Sequence, residues 1–66
     1  MTETKATHTE PCPCCGQTIV GRFDMCEVCG WENDYQQRDN PDMHGGANSM
    51  SLNEAKNAYA EGKEIR

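Results

Sequence analysis

The chain has 66 residues, a formal net charge of −5 at pH 7 and a hydrophobic fraction of 35%. A chain this short buries too little surface to be stable without a cross-link, so a single small stapled domain is expected. The acidic balance argues against nucleic-acid binding, because a phosphate-contacting face needs clustered Lys and Arg. No apolar stretch approaches membrane-spanning length, so no membrane association is expected.

The first ten residues predict a flexible N-terminal arm. Residues 1–10 are polar, rich in Thr and without hydrophobic periodicity. They also contain no visible secretory signal. The five cysteines are an odd number, so any disulfide scheme would leave one thiol over. Both observations favour a reduced, cytoplasmic protein.

All five cysteines lie within residues 11–31. Cys12 and Cys15, like Cys26 and Cys29, have the C-x₂-C spacing that lets one tight turn present two thiolates to one metal ion. Glycine follows each pair at once, as expected where the backbone turns under a metal with φ > 0. Two such knuckles ten residues apart predict one tetrahedral structural Zn²⁺ site made of four cysteines.

The metal is expected to decide whether the chain folds. A structural zinc site contributes about 10–16 kcal/mol of apparent binding energy, whereas a domain of this size has a stability of about 3–5 kcal/mol. Four thiolates (−4) and one divalent cation (+2) add −2 to the −5 of the chain, giving −7 when loaded. Tetrahedral thiolate sites also accept iron, so an iron centre stays open as an alternative.

Cys14 is left over if the two C-x₂-C pairs bind the metal. It is interpreted first as a small residue that packs beside the site. The alternatives are a reactive thiol, a redox sensor, or an alternate ligand that enters when zinc is lost.

The residues between the two knuckles favour β structure. Residues 18–20 and Phe23 predict a short hairpin that turns near residues 21–22. Such a hairpin would bring the two cysteine pairs to the same end of a small sheet. Trp31 and Val28 are expected to pack on its apolar side chains as a minimal core, with an exposed binding aromatic as the alternative for Trp31.

Residues 31–50 are predicted to be a connecting loop, because Pro41 and the Gly45-Gly46 pair break regular structure. This segment holds most of the negative charge of the chain. A solvated loop is the default interpretation, and an acidic partner-binding surface is the alternative. The candidate contact residues of that surface are Glu32, Asp34, Asp39 and Asp42.

Residues 51–62 predict the only helix, which starts with a Ser-Leu-Asn-Glu capping box. Leu52 and Tyr59 lie on one apolar stripe at helical spacing, so the helix is expected to pack on the metal unit through these two residues. A partner-binding helix is the alternative. Gly62 is placed to end the helix, and residues 63–66 are expected to fray.

Several segments together resemble a known family. They are Pro11-Cys-Pro-Cys-Cys-Gly16, Cys26-Glu-Val-Cys-Gly-Trp-Glu32, Asp39–Asp42, Gly45-Gly-Ala-Asn48 and Ser51-Leu-Asn-Glu-Ala55. Over roughly residues 11–60 the chain is similar to the cysteine-rich CPCC domain family of small bacterial and phage proteins. The resemblance implies a compact zinc-ribbon-like domain and brings no assigned activity. Glu27 stands where the family more often has proline, which would loosen the second knuckle without touching its ligands.

The expected fold is therefore a small metal-stabilised α+β domain over residues 11–62, with a zinc-ribbon-like knuckle hairpin and one C-terminal helix. The leading hypothesis for function is a non-enzymatic, zinc-stabilised module that binds an unidentified protein, as an adaptor, a small regulator or an acidic inhibitor of a basic partner. A thiol redox protein using Cys12, Cys14 and Cys15 is one alternative, and an iron-binding electron carrier is the other. Zinc hydrolysis is not expected, because four thiolates leave no position for a catalytic water.

Overall fold

The computed structural model describes residues 9–65. In chain order these contain β1 (Thr9–Pro11), β2 (Ile19–Gly21), α1 (Tyr35–Asp39) and α2 (Leu52–Ala60). The small α+β fold with a knuckle-like hairpin and a C-terminal helix is as predicted. Residues 1–8 of the predicted arm lie outside the described residues, whereas its last two residues already belong to β1.

The β-hairpin encloses the first cysteine pair. β1 and β2 are antiparallel, with Thr9 opposite Gly21 and Pro11 opposite Ile19. Just inside the hairpin the Cys12 amide donates to the Thr18 carbonyl oxygen at 2.8 Å. The loop of this hairpin is therefore the first knuckle itself.

The predicted turn after Gly21 exists, but the strand pairing predicted around it is wrong. The Asp24 amide donates to the Gly21 carbonyl at 3.2 Å, and the Asp24 carboxylate accepts from the Gly21 amide at 2.8 Å. The chain that leaves the turn then pairs with the segment after the second knuckle, through the Met25–Glu32 bridge. Each knuckle closes its own short strand pair, because a C-x₂-C turn is already a tight reversal of the chain.

The core lies between the two knuckles, α2 and the C-terminal tail. Trp31 is 0% exposed, so its predicted core position is confirmed. Val28 and Phe23 were expected beside it, and this is wrong, since they are 50% and 54% exposed. Val28 lies in the knuckle turn, between two cysteines that face inward, and so points away from the core. The buried apolar residues are Cys12, Val20, Cys26, Trp31, Leu52, Ala55 and Ile65.

The segment predicted as a loop contains the short helix α1. Asp34 caps it, because its carboxylate accepts from the Gln36 amide at 2.9 Å. A five-residue helix is too short to show hydrophobic periodicity, which explains why the sequence pattern missed it. Its inward residue is polar: Gln37 is 0% exposed.

Gln37 and Asn48 organise the rest of this segment through a buried polar network. The Gln37 side-chain amide nitrogen donates to the carbonyl oxygens of Met43, Asn48 and Met50 at 3.0–3.1 Å. The Gln37 amide oxygen accepts from the backbone and side-chain nitrogens of Asn48 at 3.1 and 2.9 Å. Asn48 in turn holds both backbone groups of Glu32, at 3.0 and 2.8 Å. Residues 43–50 are thus fixed by hydrogen bonds where few apolar side chains exist to do so.

Gly46 lets this segment approach α1 closely. A Cβ built on Gly46 would lie 2.5 Å from an Asp34 carboxylate oxygen and 2.9 Å from the Gln37 side chain. The next amide, that of Ala47, donates to the same Asp34 oxygen at 2.9 Å. A side chain at position 46 would therefore push the loop away from its hydrogen-bond partners.

The start of α2 is as predicted. Ser51 and Glu54 form a capping box, with each side chain accepting from the other residue's amide at 3.1 Å. The Ser51 amide, and after it His44, keep the pKa of the Glu54 carboxyl below its usual range. Leu52 is 3% exposed and packs in the core, but the second predicted anchor, Tyr59, is 37% exposed. The helix is anchored by its first two turns, because Ala55 rather than Tyr59 is its other buried residue.

The chain after α2 folds back instead of fraying. Gly62, at φ +76°, donates to the Tyr59 carbonyl, and Lys63 donates to the Ala58 carbonyl at 2.8 Å. This is the Schellman pattern of a helix end. It returns Ile65 to the core at 6% exposure, so the predicted fraying is wrong for residues 63–65. Within residues 9–65 no helix is long and apolar enough to cross a membrane.

Candidate metal centre

The two knuckles share one backbone conformation. In the first, the Gly16 amide donates to the Cys12 carbonyl at 2.8 Å, and in the second the Gly30 amide donates to the Cys26 carbonyl at the same distance. Both glycines have positive φ, +70° and +89°, which an L side chain rarely adopts. The glycine after each C-x₂-C pair is therefore required by the turn that presents the two sulfurs.

The two knuckles place four sulfurs in one cluster. The Sγ atoms of Cys12 and Cys29 are 3.7 Å apart, those of Cys15 and Cys26 are 3.6 Å apart, and all four lie within 4.8 Å of one another. A disulfide bond needs about 2.05 Å, so these cysteines are not paired with each other. A tetrahedral zinc site with Zn–S bonds of about 2.3 Å has S–S edges of about 3.8 Å. The cluster has the size that a single four-thiolate metal ion requires, and its members are the four predicted ligands.

Backbone amides point at the sulfurs. The amides of Val28 and Cys29 donate to Cys26 Sγ at 3.4 and 3.5 Å, and the Gln17 amide donates to Cys15 Sγ at 3.4 Å. Burial raises the pKa of Cys26, but the amides of Cys29 and Val28, together with hydrogen bonds from the Cys15 and Cys29 side chains, outweigh it and leave that pKa at about 7. The knuckle backbone thus favours the thiolate form that binds metal.

The cluster needs a cation to be fully ionised. Burial raises the pKa values of Cys15 and Cys29, although the backbone amides of Gln17 and Trp31 act in the opposite direction. Four crowded thiolates repel one another, which disfavours full ionisation. A bound divalent ion offsets this repulsion and holds all four cysteines deprotonated. Cys12, Cys15, Cys26 and Cys29 would hold the ion through one sulfur each, which fills a tetrahedral shell.

Cys14 lies outside the four-sulfur cluster. Its half-buried side chain packs on the core. Burial raises its pKa to about 11, so the thiol is protonated at neutral pH. This environment suits the interpretation of a packed residue and not that of an activated nucleophile, which needs a lowered pKa.

Asp34 is the one acidic candidate that the fold uses internally. It is 7% exposed, and its two carboxylate oxygens accept from the amides of Gln36 and Ala47, both at 2.9 Å. The Ala47 amide is the main reason that the pKa of Asp34 is lowered. The Asp34 carboxylate therefore interacts with the backbone of α1 and of the following loop, and it does not belong to an exposed acidic surface.

The other acidic candidates are more accessible. Asp39 is 61% exposed and pairs with Arg38 at 2.9 Å, and the exposed Asp42 accepts from the Asn53 side chain at 2.7 Å. Glu32 is half-buried in the bridge that follows the second knuckle. These three carboxylates remain available as parts of a contact surface.

The sequence pattern missed an exposed apolar surface beside the metal centre. Met25 comes directly before the second knuckle and Val28 lies within its turn, and they are 63% and 50% exposed. The position in the turn gave no reliable signal, because Cys14, at the corresponding position of the first knuckle, is half-buried and packs on the core. Exposed apolar residues that cluster in this way are candidates for contact with a partner.

The fold and the sulfur cluster define a small α+β domain of the metal-binding knuckle type. The sequence profile of the family described as cysteine-rich CPCC matches residues 10–62, and the chain belongs to that family. The resemblance found from the individual motifs is thereby confirmed. A search of curated proteins finds no match.

Proposed function

We propose that the chain is a non-enzymatic, zinc-stabilised module that acts by binding another protein. The observation that carries this proposal is the composition of the metal centre, in which four cysteine sulfurs lie within 4.8 Å of one another. Four sulfurs fill a tetrahedral shell, so no coordination position is left for a water or a substrate. A centre of this kind stabilises a surface and does not catalyse a reaction on the metal.

Zinc is the proposed metal, and the four-thiolate donor set accepts iron as well. Metal analysis of protein purified without added metal separates the two. We expect one zinc per chain and a colourless protein. One iron per chain with visible absorption would instead support the electron-carrier alternative. All five cysteines are free of disulfide bonds, which favours a reducing compartment, so we propose a cytoplasmic location.

The first cysteine pair does not resemble a redox-active dithiol. Such a pair works at the start of a helix, whose N-terminal amides lower the pKa of the attacking thiol. Here Gly16 follows Cys15 at φ +70° and leads into β2. This argues against the thiol redox alternative. The absence of disulfide reductase activity in the metal-free, reduced protein is the result we expect.

Retention of a partner from extract of the protein's own cells tests the proposal. Tagged wild type is compared with Cys26→Ser, which removes a cluster ligand, and with Cys14→Ser, which removes the cysteine outside the cluster. We expect one stoichiometric protein bound by wild type and by Cys14→Ser, and lost with Cys26→Ser. Nothing retained at low salt by the metal-loaded wild type would contradict the proposal.

An adaptor, a small regulator or an acidic inhibitor of a basic partner all fit such a module. The charge of −5 favours a basic partner, because opposite charges speed association and suppress wrong pairings. Salt dependence of the association rate checks this: the rate falls with added salt if the acidic residues steer the encounter.

A further inference from the structure

An open groove of about 710 Å³ lies beside the metal centre. Its lining comes from three parts of the chain: the second knuckle, residues 47–49, and the C-terminal residues Glu64 and Ile65. The tail passes close to the knuckle, since a Cβ built on Gly30 would lie 3.6 Å from the Ile65 carbonyl oxygen. The groove therefore depends both on the metal-held turn and on the folded-back tail.

The groove contains apolar side chains that the fold leaves exposed. Met25 is 63% exposed and Val28 is 50% exposed, and both belong to its lining. Neither residue contributes to the buried core. Two large apolar side chains exposed in one concave surface differ from the single scattered ones that are normal on proteins, and they are typical of a contact site.

The same groove is negatively charged. Glu27 and Glu32 contribute their carboxylates to its lining, and the part of the chain that the structure describes adds no Lys or Arg to it. Cys26 and Cys29 also belong to the lining, and their four-sulfur centre carries a net −2 with a divalent ion bound. An occupant must therefore bring positive charge together with an apolar side chain.

We propose that this groove binds a short segment of a partner protein that combines Lys or Arg with aliphatic residues. The aliphatic side chain packs on Met25 and Val28, and the cationic groups on either side pair with Glu27 and Glu32. This inference rests on the proposed function and specifies its binding surface. A second copy of the chain fits less well, because it would place one acidic groove against another.

Binding in this groove is coupled to the metal. Glu27 and Val28 are the two residues between the ligands Cys26 and Cys29, so the turn that presents them to a partner is the turn that the metal closes. Loss of the metal would release both contacts together. The peptide and the metal therefore stabilise each other's binding, as linkage requires.

A displayed library of random short peptides, selected on immobilised zinc-loaded wild type, tests the proposal even though the partner is unidentified. We expect enriched sequences that pair Lys or Arg with Leu, Ile or Met. The strongest peptide is then synthesised with a fluorescent label and titrated by anisotropy. We expect Val28→Asp and Glu27→Lys each to weaken its binding about tenfold or more, as loss of a central contact does.

Matched controls change the same chemistry outside the groove. Phe23→Asn removes an apolar side chain that is 54% exposed, and asparagine tolerates its φ of +61°. Glu61→Lys changes the net charge by the same amount as Glu27→Lys, at an exposed residue outside the groove lining. Both controls should bind the peptide within about twofold of wild type, since neither residue contacts the proposed site. The absorption spectrum of the Co²⁺-loaded form verifies that each variant keeps its metal centre.

Three results would contradict the proposal that this groove binds a partner segment. The first is a selection that yields no sequence, or only sequences without Lys and Arg. The second is a Val28→Asp protein that binds the peptide as well as wild type does. The third is a wild-type dimer that Val28→Asp dissociates, which would make a second copy the occupant. These results differ from failure of the proposed function. If wild type still retains a partner from extract and Val28→Asp retains it equally, only the groove is wrong.

Discussion

The buried side chain of Gln37 provides the sharpest test of how this fold is held together. Substitution Gln37→Leu keeps a similar volume but removes five hydrogen-bond contacts at 2.9–3.1 Å. Three of these, all with Asn48, are fully buried. Asn48 Nδ2 keeps its bond to the Glu32 carbonyl, so two buried groups, the Asn48 amide and carbonyl, lose their partner. Each such group costs about 1–3 kcal/mol, so the free energy of unfolding should fall by about 2–6 kcal/mol. If only apolar packing stabilised the core, Gln37→Leu would leave the free energy of unfolding almost unchanged, because leucine fills the same space.

The measurement is urea and thermal unfolding with the free zinc concentration held fixed, because bound metal adds to apparent stability by mass action. For a domain of this size a loss of about 3 kcal/mol lowers Tm by on the order of 12 °C or more. Gln36→Leu is the matched control, since the side chain of Gln36 is exposed. A Gln37→Leu protein within about 1 kcal/mol of Gln36→Leu would refute the reasoning, since it would mean that the network makes no net contribution.

Three further outcomes are expected. Removing the metal with a chelator should unfold the chain. Because Trp31 is 0% exposed in the folded state, its fluorescence emission should then shift to the red. The Cys26→Ser variant should give the same emission spectrum without chelator. Asp34→Ala should lower the free energy of unfolding by about 1–2 kcal/mol and Asp39→Ala by under about 0.5, measured by urea unfolding. Because the pKa of Asp34 is lowered in the folded state, the difference in free energy of unfolding between Asp34→Ala and wild type should persist above about pH 4 and decline below it. Gly46→Ala should cost about 1–3 kcal/mol, since its Cβ would lie 2.5 Å from a carboxylate oxygen; unchanged stability would show that the loop can move away.

The metal unit was predictable from sequence because its signals are local. The C-x₂-C-G spacing identifies which cysteines present their sulfurs from a tight turn and requires φ > 0 at the glycine, so no distant contact is needed to recognise each knuckle. The same holds for α2, where Ser51 and Glu54 satisfy each other's amides within one turn. In both cases the residues that carry the signal are also the residues that make the contact.

The errors arose where contacts are distant in sequence. The pairing of β1 with β2 could not be read from residues 18–23, because its partner strand lies before the first cysteine. Gln37 was assigned to a loop because a buried glutamine leaves no hydrophobic pattern, and its partner Asn48 is eleven residues away. Ile65 was assigned to a frayed end because the Schellman turn at Gly62 that returns it to the core contributes no apolar periodicity.

The metal centre and the Gln37–Asn48 network meet at the segment after the second knuckle. The Cys26 amide donates to the Trp31 carbonyl, which closes the knuckle, and the next residue, Glu32, has both of its backbone groups held by Asn48. One short stretch of backbone is therefore fixed from both sides. Glu32 also lines the groove, and the backbone that carries its carboxylate is held by the polar network directly after the second knuckle. A peptide that pairs with Glu32 would accordingly report on both, and we expect it to bind only when the chain is metal-loaded and folded.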